Sequence, residues 1–330
     1  MSLMNPDPAA RAAVGTIGRG AGGTSPSSGA LPHLTTTVPC EFVRRSSMAE
    51  VFLTSCRRAS ETRFTLTGQW PRAHAFFNGP GGQHDPLQAA ETIKQVALYL
   101  AHAELGVSLG HHFVPCDLSF TSDPDELAIG AVPSDLSIEA DCVDLVRKGS
   151  RLVEFGLSIT IRRNDRALAT GTVRFVCVSP GAYHRLRGPA PESSPTQPAH
   201  QPSEVAPSAF GRGLRRDVVL ASSDHPGRWR LNPDPDHPVL FDIGDDHIPP
   251  MVLMEAARQA TYGLLVSDRS LTLTAMSTEF HSYAEFGRPC WIEAAPVLVQ
   301  HSDTMSVLVT GRQDGRRVFG SHVSGTVTRC

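Results

Sequence analysis

One apolar segment with charged residues inside it occurs twice in the chain. The two copies, HDPLQAAETIKQ (84–95) and IPPMVLMEAARQ (248–259), align without a gap. The alignment matches similar residues at four positions: Pro86 with Pro250, Glu91 with Glu255, Lys94 with Arg258 and Gln95 with Gln259. Self-similarity within a chain indicates repeated structural units, so the chain is predicted to contain two copies of one fold.

The first copy is predicted to be a buried helix. Asp85 is a suitable N-cap, Pro86 fits the first helical position, and Gly106 fits the stop after Glu104. The residues between them are largely Ala, Leu, Ile and Val on several faces, which is typical of a helix buried all round. Glu91 lies inside this helix.

The second copy follows the same scheme, with Asp246 or His247 as the cap and Pro249 and Pro250 at the start. A buried carboxylate without a partner is costly, so the glutamate of each helix must be paired or must line a wet cleft. Pairing alone would make both glutamates scaffolding. Their recurrence at one place in both halves favours a functional site.

Strand-like runs follow each helix. They alternate between apolar and polar residues and are separated by turn signals such as RNDR and QDGR. The clearest runs are CDLSFTS, LSIEADCVDLVR, LVEFGLSITIRR and ALATGTVRFVCVS in the first half, and LTAMSTEFHSYA, CWIEAAPVLVQ, MSVLVTGRQ and RVFGSHVSGTV in the second. A long helix followed by antiparallel strands predicts the α+β class, with each helix packed on a sheet.

Composition divides the chain into four parts. Residues 1–35 are rich in Gly, Ala, Ser and Pro, which predicts a disordered leader. Residues 187–211 are rich in Pro, Ser and Ala, which predicts an extended linker. The two folded bodies are therefore expected at 36–186 and 212–330.

Charge and cysteine content restrict the class of function. The net charge is −3, with 30 basic and 33 acidic residues, so nucleic-acid or anionic-membrane binding is not expected. The seven cysteines are scattered and contain no CxxC pair, which argues against a disulfide framework and favours a reducing cytoplasm. No run of 18 apolar residues and no secretory signal is present, so a cytoplasmic location is expected.

A metal site is not predicted, and no other cofactor is expected. The segment GHHFVPCD contains His111, His112, Cys116 and Asp117, but their spacing matches no zinc signature. Adjacent histidines on a strand also point to opposite faces of the sheet.

Several motifs together resemble a known family. AEVFLT (49–54), QWPRAHAFF (69–77), HDPLQAAETIKQ, LAHAELGVSLGHHF (100–113) and DDHIPPMVLMEAARQA (245–260) resemble the A-factor biosynthesis hotdog family, the AfsA-like synthases of γ-butyrolactone, butenolide and furan signalling molecules in actinomycetes. The resemblance covers about residues 38–330. IPPMVLMEAARQ by itself is more distantly similar to the central helix of hotdog β-hydroxyacyl-ACP dehydratases.

This resemblance implies a tandem hotdog fold, in which two units form a pseudodimer and an antiparallel sheet wraps each central helix. It also implies an acyltransferase that moves a β-ketoacyl group from acyl carrier protein, or from CoA, to the hydroxyl of dihydroxyacetone phosphate. Whether two chains form a homodimer is left open.

The resemblance also implies site residues at the motif positions. Glu91 and Arg258 are its first candidates for catalysis, with Arg258 holding the phosphate as a planar bidentate donor. Glu91 is expected to act as the base, or His247 if it reaches the hydroxyl. Backbone N–H groups at the start of a central helix are expected to stabilise the oxyanion. Removal of the Arg258 side chain is expected to affect the phosphate substrate and leave the fold intact.

Two pockets are expected where the halves meet. One would combine Glu91 with residues around His247 and Arg258, and the other would combine Glu255 with His84 and Asp85. The full set of site candidates is Glu91, Arg258, His247 and Glu255 for catalysis, and Arg258, Gln95, Gln259, His84 and Asp85 for substrate binding.

These candidate residues also have purely structural interpretations. Arg258 would then pair with a carboxylate, His247 and His84 would be turn or capping residues, and Asp85 would be an N-cap only. The basic run 212–217 could meet an acidic carrier protein, although a solvated end of the linker is the preferred interpretation. HIPP (247–250) is either a shortened form of the dehydratase histidine element, or that histidine is absent, with Leu240 near its place.

Two other functions compete with acyl transfer. A hotdog dehydratase or thioesterase acting on acyl-ACP would need no triose phosphate. A non-catalytic protein that senses acyl groups or butyrolactones would bind without turnover. Direct DNA regulation is disfavoured because the chain shows no helix-turn-helix pattern.

Overall fold

The structure is a computed structural model, and it describes residues 36–188, 203–265, 269–297 and 303–329. The predicted leader, 1–35, lies outside these ranges, as does most of the predicted linker, 187–211. The proposed ends of the leader, the linker and the two folded bodies therefore stay predictions.

Three α-helices are present in the described residues: α1 (Leu87–Ala103), α2 (Pro180–Arg187) and α3 (Pro250–Tyr262). The predicted role of Asp85 at the start of α1 is confirmed, because its carboxylate accepts the N–H of Leu87 at 2.9 Å. The helix itself begins one residue later than predicted, at Leu87, with Pro86 in the N-cap position. Gly106 follows α1 with a φ of 79°, a conformation that glycine adopts without the strain of a Cβ.

The predicted cap of α3 is wrong. Pro249 occupies the N-cap position and no side chain caps this helix. Asp246 and His247 make other contacts, described below.

The strands are β1 (Leu53–Arg58), β2 (Arg63–Trp70), β3 (Asn78–Gly79), β4 (Gln83–His84), β5 (His112–Ser122), β6 (Ser134–Lys148), β7 (Arg151–Arg163), β8 (Arg166–Val178), β9 (Leu220–Ala221), β10 (Arg228–Leu231), β11 (Arg269–Phe280), β12 (Cys290–Val297), β13 (Thr304–Gln313) and β14 (Arg316–Arg329). Each strand-like run predicted after the two helices contributes to one of these strands.

Within the part of the chain that the structure describes, twelve strands form one antiparallel sheet in the order β1-β2-β6-β7-β8-β5-β11-β14-β13-β12-β10-β9. The order is the same when it is read outward from the central β5–β11 pair in either direction, with β8 equivalent to β14 and β7 to β13. Five residue pairs join the halves here, from Thr121 with Ala275 to Asp117 with Glu279. This is the tandem hotdog arrangement that the family resemblance implies.

Each central helix packs on the sheet of its own half, α1 on β5, β7 and β8, and α3 on β12, β13 and β14. The approach of α1 to β8 depends on Gly171. A Cβ at this position would lie 2.5 Å from Cδ1 of Ile93 and 2.2 Å from the carbonyl oxygen of Ser119. The buried side chains of both halves belong to one continuous core, which fixes the two helices relative to each other.

Candidate active site

Glu91 is at the centre of a buried ionic cluster on α1. Arg45 approaches Oε1 of Glu91 through Nη2 at 2.7 Å, Lys94 approaches Oε2 at 2.8 Å, and Gln95 donates to Oε1 at 2.9 Å. The Glu91 side chain has no exposed surface. Burial raises its pKa, but the charges of Arg45 and Lys94 outweigh this effect and hold the pKa at about 2. Glu91 is therefore an ionised partner of two cations and a weak base at neutral pH.

Glu255 is at the centre of the equivalent cluster on α3. Arg212 donates to both carboxylate oxygens at 2.7 and 2.6 Å, and Arg258 donates to both at 2.8 and 2.9 Å. Gln259 donates to Oε1. Burial again raises the pKa of Glu255, and the two arginines outweigh it and hold the pKa at about 2. The charge of Glu255 likewise overcomes the effect of burial on Arg258 and raises the pKa of its guanidinium.

Both clusters join the two halves of the fold. Arg45, in the first half, donates from Nη1 to the carbonyl oxygen of Val239 at 2.7 Å. Arg212, in the second half, donates from Nη1 to the carbonyl oxygen of Phe76 at 2.7 Å. The interpretation of 212–217 as a solvated linker end is wrong for Arg212, whose side chain is only 3% exposed. A short 3₁₀ turn and a left-handed residue precede each arginine.

The two predicted glutamines serve the backbone in the same way. Gln95 accepts the N–H of Phe52 at 2.9 Å, and Gln259 accepts the N–H of Val219 at 2.9 Å. Both glutamines are fully buried, so in this structure they position chain segments. Substrate binding by these amides would require a rearrangement of the core.

Two histidines that the sequence analysis missed complete the repeat. Nδ1 of His74 accepts the N–H groups of Phe76 and Phe77, and Nδ1 of His237 accepts those of Val239 and Leu240. Each histidine thereby shapes the turn whose carbonyl oxygen binds the arginine of the other half. A further repeat in the sequence, RSSMAEVFL (45–53) and RGLRRDVVL (212–220), could have indicated these histidines. The acidic residue in each copy of this repeat contacts Nε2 of the corresponding histidine.

A cavity lies directly over the Glu91 cluster, between α1 and the loop that leads into α3. Lys94 lines it, and its side chain is 20% exposed. The charged and polar part of the lining is formed by Arg44, Arg45, Lys94, Asp242, Asp245 and His247. The apolar part includes Leu98, Phe113, Phe175, Leu240, Ile243 and Met251. The cavity thus combines cations, a histidine and an apolar wall from both halves.

His247 is paired with Asp246 at the edge of this cavity. Nδ1 of His247 lies 2.6 Å from Oδ1 of Asp246. Burial raises the pKa of Asp246, but hydrogen bonds from His247 and Tyr183 and the charge of Arg187 outweigh it and hold the pKa at about 2. An ionised carboxylate only accepts, so Nδ1 of His247 carries the proton. In the neutral imidazole, Nε2 then has a free lone pair and can act as a base.

The equivalent cavity over the Glu255 cluster is different. Its lining includes Arg212 and Tyr262. The guanidinium carbon of Arg258 lies 5.0 Å from the centre of the Tyr262 ring, and the Arg258 side chain is only 3% exposed. At the position aligned with His247, the first half carries Gln83. The second cavity therefore has no accessible counterpart of Lys94 and no histidine at the position that corresponds to His247.

The left-handed residues before the two arginines show why the cavities differ. Arg44 has a φ of 53° and lines the first cavity, whereas Gly211 has a φ of 65° at the equivalent position. A Cβ at Gly211 would lie 2.6 Å from Cε1 of Tyr262. Leu98 takes the place of Tyr262 in the first half, which leaves room for a side chain at Arg44.

The structure brings together some of the residues that the sequence grouped and separates others. His247 lies at the cavity over Glu91, whereas Glu91 and Arg258 each contact the other members of their own cluster. Asp85 does join Glu255, through an ion pair of 3.1 Å with Arg212.

His84 does not join the Glu255 cluster. It is buried, and its Nε2 lies 3.1 Å from the hydroxyl of Ser134. Burial and the nearby charge of Arg163 lower the pKa of His84 to about 4, so it is neutral at physiological pH.

Within the described ranges, no three His, Cys, Asp or Glu side chains are grouped so that they could hold a metal ion. None of the helices in the described parts of the chain is long and apolar enough to cross a membrane.

Comparison with known proteins agrees with the fold and the repeat. Residues 27–179 and 193–329 both match the A-factor biosynthesis hotdog domain. A relative from Streptomyces virginiae, named 2-oxo-3-(phosphooxy)propyl 3-oxoalkanoate synthase, is 46% identical over 87% of this chain and 96% of its own length. A relative of the same name from Streptomyces griseus is 36% identical over 87% of this chain and 95% of its own.

Among solved structures, the 12:0-ACP thioesterase from Umbellularia californica aligns with a TM-score of 0.50 and 9% identity, over 80% of this chain and 94% of that one. A likeness at this identity supports the fold alone. The two family matches and the high coverage of both relatives lead to a firmer conclusion. The chain belongs to the A-factor biosynthesis hotdog family.

Proposed function

We propose that the protein is an acyltransferase that moves a β-ketoacyl group from a thioester to the hydroxyl of dihydroxyacetone phosphate. The product in its relatives' name is an ester of a 3-oxo acid with a triose phosphate, which this reaction forms. The observation that carries the proposal is the first cavity, where His247, Lys94 and Arg44 face a common space beside an apolar wall, and where His247 is paired with Asp246.

His247 is the base in this proposal. Its Nε2 takes the proton of the attacking hydroxyl, whose oxygen then bonds to the thioester carbon. When the C–S bond breaks, the protonated Nε2 returns the proton to the leaving sulfur. Asp246 holds the imidazole and stabilises its charged form, as the carboxylate does in a catalytic triad.

The start of α3 offers a donor for the oxyanion. Pro249 and Pro250 have no N–H, so the first backbone N–H of this helix belongs to Met251, which lines the cavity. Amide groups at the first turn of a helix have no partner within the helix and carry partial positive charge. They are therefore suited to the negative oxygen of a tetrahedral intermediate.

Lys94 and Arg44 replace Arg258 as the phosphate ligands. The Arg44 side chain is 32% exposed and pairs with Asp245 at 3.2 Å, while Lys94 reaches the cavity from α1. Glu91 holds Lys94 and Arg45 in place, so we assign it a positioning role. The Glu255 cluster, including Arg258, joins the two halves beneath the second cavity.

The apolar wall of the cavity suits the acyl chain of the donor. Acyl carrier protein and CoA present the thioester on the same phosphopantetheine arm, so both fit the chemistry proposed. Kinetics with matched acyl groups on the two carriers would show which donor the enzyme prefers.

The reaction is tested by mixing purified protein with a β-ketoacyl thioester, with and without dihydroxyacetone phosphate, and measuring free thiol. We expect thiol release that depends on the triose phosphate, together with formation of the phosphorylated ester by mass spectrometry. Thiol release independent of the triose phosphate would identify a thioesterase instead. Saturable binding of a butyrolactone without turnover would identify a sensor.

Lys94→Met is expected to raise the KM for dihydroxyacetone phosphate by roughly tenfold to a hundredfold, because a hydrogen bond to a charged group contributes about 1.5–3 kcal/mol. The chain has only one other lysine, Lys148, which is exposed, and Lys148→Met is the matched control. Circular dichroism first shows that both variants are folded. Steady-state kinetics then give the KM for dihydroxyacetone phosphate of each variant. An unchanged KM in Lys94→Met would remove this residue from phosphate binding.

A further inference from the structure

The short helix α2 contacts the His247–Asp246 pair from outside the two hotdog units. It follows β8, the last strand of the first half, and its side chains reach the loop before α3. The Tyr183 hydroxyl donates to Oδ1 and Oδ2 of Asp246 at 2.7 and 3.0 Å. Arg187 donates from Nε to Oδ2 at 3.2 Å and from Nη2 to the backbone oxygen of Asp246 at 3.1 Å.

These contacts leave Asp246 little freedom to turn. Three separate side chains bind its carboxylate, although the Asp246 side chain is 52% exposed. Without them, an exposed aspartate would sample several rotamers and its hydrogen bond to His247 would compete with water. Fixing the carboxylate fixes the imidazole and the ring nitrogen that carries the proton.

The helix is itself anchored at two points. The Tyr183 ring stacks on His112 of β5 with a centroid distance of 3.6 Å. Arg187 forms an ion pair with Glu285 and lies over the Tyr283 ring at 4.7 Å. Tyr283 in turn contacts the His247 ring at 4.4 Å. The imidazole is thus held from the side of Asp246 and from the side of Tyr283.

We propose that Tyr183 and Arg187 are positioning residues, which fix Asp246 so that His247 keeps its proton on Nδ1 and presents Nε2 to the cavity. The contribution of this arrangement to the rate rests on the proposed function, in which His247 is the base. The position of the proton on the imidazole does not rest on the proposed function, and it can be measured in the protein without substrate.

The titratable and charged groups that surround the pair come from several elements. They are Tyr183, His184 and Arg187 on α2, His112 on β5, Tyr283 and Glu285 before β12, and Arg44, Arg45, Lys94, Asp242 and Asp245, which line the cavity with His247. All variants are measured at one fixed pH, at which wild type is fully active, so that a change of pH does not add to the effect of removing the Tyr183 hydroxyl and the Arg187 charge.

The test compares Tyr183→Phe combined with Arg187→Met against Arg185→Met, an exposed arginine on the same helix. Phenylalanine keeps the ring that stacks on His112 and removes only the hydroxyl. In protein labelled with ¹⁵N-histidine, the imidazole signals of His247 are identified by their loss in His247→Gln. We expect a single Nδ1–H tautomer in wild type and Arg185→Met, and exchange between tautomers in the double variant.

Kinetics on the same proteins separate the two hypotheses. We expect the double variant to lose roughly tenfold to a hundredfold in kcat, by analogy with the replacement of residues that orient a metal-ligating histidine, with the KM for dihydroxyacetone phosphate unchanged. Retention of the Nδ1–H tautomer in the double variant would overturn this inference, whatever the rate. Loss of the tautomer with a normal rate would uphold it and would remove His247 from the proposed reaction.

Discussion

His247→Gln is expected to lower kcat for thiol release by roughly 10²–10⁴-fold, the contribution typical of a general base. Glutamine has a similar size and can still hydrogen-bond to Asp246, but it cannot accept a proton at neutral pH. Binding of dihydroxyacetone phosphate depends on other groups in the proposal, chiefly Lys94 and Arg44. The KM for this substrate should therefore change little.

The matched control is His225→Gln. The His225 side chain is exposed and lies in the turn before β10, so we expect wild-type kinetics from this variant. A His247→Gln enzyme within threefold of wild type would contradict the assignment of the base. The same enzyme measured with and without triose phosphate also shows whether any residual thiol release is simple hydrolysis.

Glu255→Gln is expected to destabilise the protein by about 3–5 kcal/mol, the usual effect of removing one partner from a buried ion pair. The substitution leaves Arg212 and Arg258 buried next to each other without a counter-ion. For a domain of this size, the loss corresponds to a decrease in Tm on the order of 10 °C. Arg258→Ala should also destabilise the fold, contrary to the expectation from sequence that it would be left intact.

Thermal and chemical unfolding of Glu255→Gln and Glu293→Gln provide the measurement. Glu293 is 47% exposed and pairs loosely with Arg228, so its substitution should change stability by less than about 1 kcal/mol. Equal stability of the two variants would mean that water reaches the Glu255 cluster. Glu91→Gln should also lower stability, and it should reduce activity as well, because only the Glu91 cluster holds Lys94 at the cavity.

The Glu255 cluster makes the stability of the fold depend on pH over a defined range. The pKa of Glu255 falls from its ordinary value of 4.5 in the unfolded chain to about 2 in the fold. Its contribution is therefore complete above about pH 5 and is lost as the pH falls toward 2. We expect the loss of stability between about pH 5 and about pH 2 to be smaller in Glu255→Gln than in wild type.

The sequence alone predicted the two units, because their central helices carry the same residues at the same spacing. Apolar side chains on all faces of a helix require a sheet around it, and alternating runs supply that sheet. The Asp85 cap and the Gly106 stop of α1 were also readable, since capping depends on residues adjacent in sequence. The cap of α3 was misassigned because Asp246 binds Tyr183 and Arg187, which are distant in the chain, and His247 binds Asp246.

The candidate site was predictable only as a region. The glutamates stood out, but their partners Arg45 and Arg212 lie more than 40 positions upstream, in stretches that resemble loops. Arg212 looked solvated because it follows a low-complexity segment, although Glu255 and the Phe76 carbonyl oxygen bind it in the core. The repeated RSSMAEVFL and RGLRRDVVL segments are the feature of the sequence that marks both arginines.

What the amino-acid sequence determined by itself is the duplication of one α+β unit, which depends on local periodicity and on the repeat, and the family resemblance of its motifs implied the hotdog form of that unit. Tertiary structure decided how the two copies differ, and this difference is the basis for placing the proposed reaction site in the first cavity. The two ionic clusters are nearly identical, but their surroundings differ. Leu98 lies above the first cluster and Tyr262 above the second, and Arg44 borders the first whereas Gly211 borders the second. In addition, α2 contacts Asp246 beside the first cavity. These differences depend on contacts between residues distant in the chain, and packing alone brings such residues together.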